Sequence, residues 1–310
     1  VNLHQIMGRL SAEDVEIISS RIETIKDVAW ILNNDLTQNI IKIQSLTNER
    51  NLTFTRSSLA TLKNINSVLN SIDRLEFRGR DSAGISLLFT INSDTYDQFK
   101  MQIDQLGLEK EFNTRKNPEV LQNRSISVKT SAAKDSVQKV AIAITYKVAA
   151  EIGRLGDNIS FIRQQISEDD VLHTLIALPH EYHTVSAHTR WASVGAINEA
   201  NCHPLDNKVL PDTIESDGII HVCLNGDIDN YQHLKQTYEK QSIYLSDDIT
   251  CDTKIIPVHI EAYLKKGHLI DEAFRLAVND FEGSQAISMH SDLAPGKLFL
   301  SLKGSGQTIF

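Results

Sequence analysis

The sequence predicts a layered fold that combines α-helices with β-strands. Two long stretches in the first quarter of the chain place apolar residues at helical spacing, whereas the part after residue 184 alternates short β-type runs with helical segments. With 310 residues, of which 41% are apolar and 23% are charged, the composition is that of a globular protein with a continuous core. Strands that alternate with pairs of helices favour layers, although they do not specify the topology.

The N-terminal part is predicted to be helical. Ser11 and Asp14 match a capping box, and a second helix is expected over residues 57–77. A polar connector with a short apolar patch, at residues 33–56, separates the two helices and is expected to contain a short third helix. The apolar face of the first helix consists of Val15, Ile18, Ile22, Ile25, Ala29 and Leu32, and that of the second consists of Leu59, Leu62, Ile65, Leu69, Ile72 and Leu75.

The middle of the chain is predicted to be mixed. A turn at Gly79 and Gly84 precedes a strand at residues 85–90, and a solvent-facing helix and loop follow, with Pro118 near its end. We then expect a strand at 125–129, a long helical stretch at 133–166 that is broken or bent near Gly153 and Gly156, and a short helix at 168–177.

The C-terminal part is predicted to be rich in strands. The pattern indicates strands at 185–188, 218–224, 286–290 and 298–302, with helices at about 230–240 and 252–265 between them.

Composition and charge exclude several classes of function. A net charge of −9 gives nucleic acid no electrostatic attraction, and no apolar run reaches the roughly 18–20 residues that span a bilayer. The three cysteines, Cys202, Cys223 and Cys251, form no CxxC pair, which disfavours a disulfide framework or a thiolate zinc site. We therefore expect a cytoplasmic protein.

Four separate segments carry a family resemblance. They are residues 75–85 (LEFRGRDSAGI), 187–204 (AHTRWASVGAINEANCHP), 224–231 (LNGDIDNY) and 246–253 (SDDITCDT). In order and rough spacing they resemble the glutaminase part of glutamine–fructose-6-phosphate amidotransferase, a class II glutamine amidotransferase. Each segment alone is weak, since an Asn-Gly pair is often a hairpin turn.

The resemblance implies an α+β fold, the four-layered αββα sandwich of N-terminal-nucleophile hydrolases with helical insertions. It covers roughly residues 56–90 and 184–305. We therefore expect a helical insertion or extension at 1–55 and a glutaminase domain at 56–310, with an inserted helical region at about 95–175.

Recognition of free glutamine requires one cation and one anion. Arg190 suits the α-carboxylate because its planar guanidinium binds two oxygens at once, and Ser193 adds a hydroxyl. Asp252 suits the α-ammonium. Two alternatives stay open at this stage: Arg190 in a buried structural ion pair, and Asp252 as a helix N-cap.

Amide hydrolysis also requires donors for the oxyanion. The side-chain amide of Asn225 and the backbone N–H of Gly226 suit this role. Trp191 is expected to close over the substrate, whereas Arg78 and Asp81 are expected to support the site by stabilising the turn. The resemblance assigns the base to the α-amine of an N-terminal cysteine.

The family's nucleophilic cysteine has no counterpart in residues 1–55, and none of the three cysteines occupies its place in the motifs. The chain starts at Val1, so either the nucleophile precedes this residue or the domain has lost it. Two smaller departures are Val194, where the family often has histidine, and Lys254, where it often has glutamate.

The expected function is hydrolysis of L-glutamine to glutamate and ammonia for glucosamine-6-phosphate synthesis from fructose-6-phosphate. The sugar-phosphate isomerase (synthase) module that receives the ammonia would be a partner absent from this chain, and a homodimer is possible. The alternatives are an inactive glutamine-binding regulatory module and a purely structural domain. We expect no cofactor and no metal, because His180 and His183 lack a third ligand.

Overall fold

The computed structural model describes residues 11–47, 55–116, 125–131, 138–149, 155–211 and 214–304. Gly153, near which a bend is expected, and Pro118, in the expected loop, lie outside these residues. The chain divides into two compact units, Val1–Leu46 and Thr47–Phe310. Among the described helices, none combines the length and apolar character that crossing a bilayer requires.

The first unit is helical over its described part. Helix α1 (Ala12–Trp30) begins at the expected capping box, because Ser11 and Asp14 cap each other's backbone N–H groups. A π-helical turn (Ile31–Leu36) leads into α2 (Thr37–Ser45), which lies in the predicted connector at residues 33–56.

The second unit contains two four-stranded antiparallel sheets. The strands of sheet A are β1 (Ser82–Asn92), β2 (Ser125–Thr130), β3 (Lys139–Ala149) and β4 (Tyr182–Arg190); those of sheet B are β5 (Leu205–Asp206), β6 (Ile220–Gly226), β7 (Gln285–Ser291) and β8 (Phe299–Lys303). Sheet A has the strand order β2-β3-β1-β4, and sheet B has the order β5-β6-β7-β8. The predicted α+β class is confirmed.

The two sheets face each other through polar side chains. Ser86 of β1 hydrogen bonds to His221 Nδ1 at 2.5 Å and to His290 Nε2 at 3.2 Å, and Ser186 of β4 reaches His290 Nδ1 at 2.9 Å. Because side chains alternate along a strand, Cys223 and Asn225 lie on the same inward face of β6 as His221.

Helices cover the outer face of each sheet. The helices of the second unit are α3 (Arg56–Leu75), α4 (Ser93–Gln105), α5 (Glu109–Arg115), α6 (Asp157–Ser167), α7 (Asp170–Ala177), α8 (Tyr231–Glu239), α9 (Ile255–Lys265) and α10 (Ile270–Asp280). On sheet A, α3 packs against β4, α6 against β3 and β1, and α4 against β1. On sheet B, α9 packs against β6 and α10 against β8.

One prediction for the middle of the chain is wrong. Among the described residues of the expected helix at 133–166, the helix covers Asp157–Ser167, whereas Lys139–Ala149 is a strand between β1 and β2. Both faces of β3 are buried, from Val140 to Tyr146, so its apolar residues show no alternation. A short apolar run of this kind is compatible with either structure. Because β3 is an inner strand of sheet A, the region at 95–175 is not simply helical.

Candidate functional site

A cleft of about 630 Å³ opens at the edge where β4 and β8 lie, beneath α3. Its lining contains nearly all the residues that the motifs single out. They are Arg78, Arg190, Trp191, Ser193, Asn225, Gly226 and Asp252. All four motif segments therefore contribute to one cavity, because the turn before β1, β4, β6 and the turn before α9 converge there.

Arg190 is the last residue of β4 and is buried, with 5% of its surface exposed. Its guanidinium donates to the carbonyl oxygens of Val194 and Ala196. These bonds fold the loop after β4 back over the strand. They differ from the alternative of a structural ion pair, since the partners are neutral carbonyls.

Asp81 supports this loop from outside the cleft lining. Its carboxylate accepts a hydrogen bond from the backbone N–H of Ala192 at 2.7 Å, and its own N–H donates to the carbonyl of Arg190 at 3.1 Å. Gly79 allows the same approach, because a Cβ there would lie 2.7 Å from the Thr189 carbonyl. These contacts fit the supporting role expected for Asp81.

Asn225 and Gly226 end β6 at the cleft. Gly226 has φ +121°, and a Cβ there would lie 2.0 Å from the carbonyl oxygen of Ser284. Only glycine allows this backbone, which brings the two residues to the cavity. The Asn225 side chain is exposed to the cleft rather than packed in the core.

Asp252 begins a 3₁₀ turn (Asp252–Lys254) that leads into α9. Its Oδ2 accepts a hydrogen bond from the backbone N–H of Ile228 at 2.7 Å, and burial raises the pKa of this carboxyl. The capping residue of α9 is Lys254, with no side-chain cap bond, so the N-cap alternative does not describe Asp252. Its carboxylate instead joins the turn to the segment that follows β6.

The loop residues Trp191 and Ser193 lie at the mouth of the cleft. Trp191 is 73% exposed, and the Ser193 hydroxyl donates to Asp227 Oδ1 at 2.9 Å. In this state the hydroxyl connects the loop after β4 to the segment after β6.

Two histidines in the cleft lining were missed by the sequence analysis. The rings of His188 and His203 lie 4.6 Å apart, and His203 Nδ1 accepts from the backbone N–H of Leu224 at 3.4 Å. Burial, together with the nearby charge of Arg190, lowers the pKa of both, to about 4 for His188. Both histidines fall within motif segments, which was the available signal.

Lys254 is almost completely buried, and its ammonium donates to Asp206 Oδ1 at 2.6 Å and to the Asp206 carbonyl at 2.7 Å. It therefore points away from the cleft and anchors the turn that carries Asp252 to β5. The departure from the family pattern at this position leaves the cleft lining unchanged, since Lys254 is not among its residues.

The three cysteines are all buried. Burial raises the pKa of each thiol, to about 12 for Cys223 and to about 11 for Cys251. Cys223 lines the cleft, two residues before Asn225, but it is a neutral thiol near neutral pH and therefore a poor nucleophile.

The histidine pair outside the cleft forms a hydrogen-bonded cluster. His180 Nε2 and His183 Nδ1 lie 3.1 Å apart, and His183 Nε2 lies 2.7 Å from Asn64 Nδ2. Among the described residues, no group of three or more His, Cys, Asp or Glu side chains is placed to hold a metal ion.

Curated relatives share the expected resemblance. No family model matches the chain. Over 118 residues it is 36% identical to glutamine–fructose-6-phosphate aminotransferase [isomerizing] of Clostridium acetobutylicum, covering 38% of this chain and 17% of the relative. Over 100 residues it is 35% identical to the enzyme of the same name from Sulfolobus acidocaldarius, covering 32% and 15%. The resemblance predicted from the motifs is confirmed, and the matched segment spans less than a fifth of each relative.

Solved structures give weaker matches. The allosteric regulatory enzyme of purine biosynthesis aligns at TM-score 0.37 and 13% identity, over 72% of this chain and 38% of that one. The glutamine phosphoribosylpyrophosphate amidotransferase from B. subtilis aligns at TM-score 0.31 and 13% identity, over 67% and 35%. TM-scores this low do not establish a common fold.

Proposed function

We propose that this chain is a glutamine amidotransferase domain that binds L-glutamine and takes part in its hydrolysis to glutamate and ammonia. The observation that carries the proposal is the meeting of Arg190, Asp252 and the Asn225-Gly226 pair in one cleft. These groups supply a cation for an α-carboxylate, an anion for an α-ammonium and neutral hydrogen-bond donors for a side-chain amide. A site that binds free glutamine needs all three.

Arg190 would hold the α-carboxylate and Asp252 the α-ammonium. A guanidinium has five N–H donors, so the two carbonyl bonds to the loop leave others for a carboxylate. The buried Asp252 carboxylate gains an ionic partner when an ammonium binds beside it, which offsets the cost of its desolvation.

Asn225 and Gly226 would stabilise the oxyanion that forms when a nucleophile adds to the γ-carbonyl. The proton released by the nucleophile passes to the amide nitrogen, the C–N bond breaks and ammonia leaves. Water then cleaves the acyl bond, which releases glutamate and returns the proton to the nucleophile. Loss of one such donor typically raises the barrier by about 3–4 kcal/mol. Trp191, exposed at the cleft mouth, would close over the ligand.

We assign no nucleophile within this chain, because Cys202, Cys223 and Cys251 are buried thiols with raised pKa values. That observation favours a second candidate, a domain of the same kind that binds glutamine without turnover.

We further propose the αββα sandwich of N-terminal-nucleophile hydrolases as the fold. Two facing sheets, with α3, α4 and α6 on one outer face and α9 and α10 on the other, support it. The use of the ammonia for glucosamine-6-phosphate, together with a sugar-phosphate isomerase partner module, is part of the same proposal and follows the names of the curated relatives.

Calorimetric titration with L-glutamine, paired with an ammonia-release assay, tests the proposal. Asp252→Asn keeps an oxygen for Ile228 but removes the charge, so we expect it to weaken binding at least tenfold. The matched control is Asp97→Asn, at an exposed site on α4. Binding with ammonia release supports the enzyme, and binding without it supports the binding module. No binding by the parent chain contradicts both.

A further inference from the structure

A second cavity, of about 440 Å³, lies at the other edge of the sheets, where β2 and β5 are the edge strands. We call it the lysine pocket, because Lys116, Lys129 and Lys208 line it together with Tyr96, Ser127 and Ser216. Its volume is within the usual range of small-molecule sites. None of these residues lines the glutamine cleft.

The three lysines approach the pocket from three different elements. Lys116 follows α5, Lys129 lies on β2, and Lys208 follows β5. The Lys129 ammonium donates to the Ser216 carbonyl at 2.7 Å, which uses one of its three N–H donors. The Lys116 ammonium lies 4.5 Å from the ring centroid of Phe112. The chain as a whole has a net charge of −9, so the positive charge of the three lysines is opposite in sign to that of the protein.

The charge of the lysine pocket is not cancelled by its own carboxylate. Asp206 is the single acidic side chain among the described residues of the lining; the buried Lys254 pairs with it at 2.6 Å, and Lys208 is close enough to lower its pKa as well. Asp292, outside the lining, is a further carboxylate near Lys129 and accepts the Ile219 N–H at 2.6 Å. With Lys254 included, four ammonium groups stand against the carboxylates of Asp206 and Asp292 among the described residues, so the pocket keeps a net positive charge.

We propose that the lysine pocket binds a small dianion of the phosphate class. Lysine ammoniums are compact point charges that suit a tetrahedral anion contacted from several directions, whereas planar carboxylates favour the arginine fork. The described lining contains three lysines and no arginine. Tyr96, Ser127 and the backbone of Gly218 add polar groups for whatever carries the phosphate.

The test is calorimetric titration of the chain with inorganic phosphate, alongside ³¹P NMR line broadening. We expect one saturable site, and an affinity that falls about tenfold in Lys208→Met and again in the double variant with Lys116→Met. Lys208→Arg keeps the charge and is expected to retain binding. Lys63→Met, at an exposed lysine on α3, is the matched control and is expected to bind as the parent does.

Thermal unfolding of each variant separates loss of the site from loss of the fold. Absence of saturable phosphate binding by the parent chain overturns the proposal, as does equal binding by Lys208→Met and Lys63→Met. Glutamine titration of Lys208→Met is independent of this result, because Lys208 lies outside the cleft. The lysine pocket and the proposed function therefore succeed or fail separately.

Discussion

The carboxylate of Asp252 accepts the backbone N–H of Ile228 at 2.7 Å, so the turn before α9 and the segment after β6 are held together by one hydrogen bond. This contact joins the proposed ammonium ligand to the proposed oxyanion donors, Asn225 and Gly226. The geometry of one half of the cleft thus depends on the other.

Asp252 is predicted to trade stability for binding. Burial raises its pKa, so folding favours the protonated carboxyl over the carboxylate. The stability that the protonated carboxyl contributes is present below the unfolded pKa and is lost as the pH rises through the folded pKa. Asp252→Asn, which keeps an acceptor for Ile228, should be at least as stable as the parent near neutral pH. Asp252→Ala leaves that N–H unpaired and should lose about 1–3 kcal/mol. Urea unfolding at neutral pH measures both, and equal losses in the two variants would contradict this account.

Asp81 is predicted to act on glutamine affinity through the loop after β4. Asp81→Ala removes the acceptor of the Ala192 N–H, so the loop that carries Trp191 is held less firmly. We expect affinity for L-glutamine to fall about tenfold with a loss of about 1–2 kcal/mol in stability. Asp81→Asn keeps an oxygen at the same place and serves as the control. Titration of the two variants side by side gives the comparison, and unchanged affinity in Asp81→Ala would remove Asp81 from the site.

His290 is predicted to make the fold sensitive to acid. Burial between the sheets lowers its pKa to about 4, from an unfolded value of about 6.5. The unfolded chain therefore takes up a proton first as the pH falls, so this contribution is complete above about pH 6.5 and is lost toward pH 4. Between about pH 7.5 and pH 5 it amounts to about 2 kcal/mol.

His290→Asn checks this contribution, because asparagine is polar and does not titrate in this range. Urea unfolding at both pH values gives, for the parent and for the variant, the change in the free energy of unfolding on acidification. We expect the parent to lose about 2 kcal/mol more than the variant on acidification. Equal losses would mean that other groups cause the acid sensitivity.

The ion pair between Arg115 and Asp169 is predicted to be the most sensitive buried contact of the outer helices. The guanidinium bonds both carboxylate oxygens, at 2.9 and 2.8 Å, and Tyr146 donates to Oδ2 at 2.5 Å. Arg115→Met leaves a completely buried carboxylate without its cation, which should cost about 3–5 kcal/mol.

Adding Asp169→Asn to Arg115→Met removes the stranded charge while it keeps an oxygen for the N–H groups of Val171 and Leu172 at the start of α7. The double variant should therefore recover part of the lost stability. Thermal or urea unfolding of the single and double variants decides this. A double variant that is less stable than Arg115→Met would contradict the mechanism.

The sequence by itself determined the parts of this protein that depend on local pattern and chemistry. The helix at Arg56–Leu75 follows from helical periodicity, because one face of it is buried. The strands β1, β2, β4, β6, β7 and β8 follow from short β-type runs. The site residues Arg190, Asn225, Gly226 and Asp252 could be named because they lie in the motif segments that carry the resemblance, and because their chemistry suits the proposed ligand.

The tertiary structure alone decided the rest. The strand at Lys139–Ala149 could not be told from a helix in the sequence, because an apolar run that is buried on both faces is compatible with either structure. The partners of buried groups are long-range: Lys254 reaches Asp206, and Asp81 reaches Ala192. Such pairs leave no local signal, since only the packing of the sheets brings them together. The same packing brings Lys116, Lys129 and Lys208 to one pocket, which no spacing along the chain could indicate.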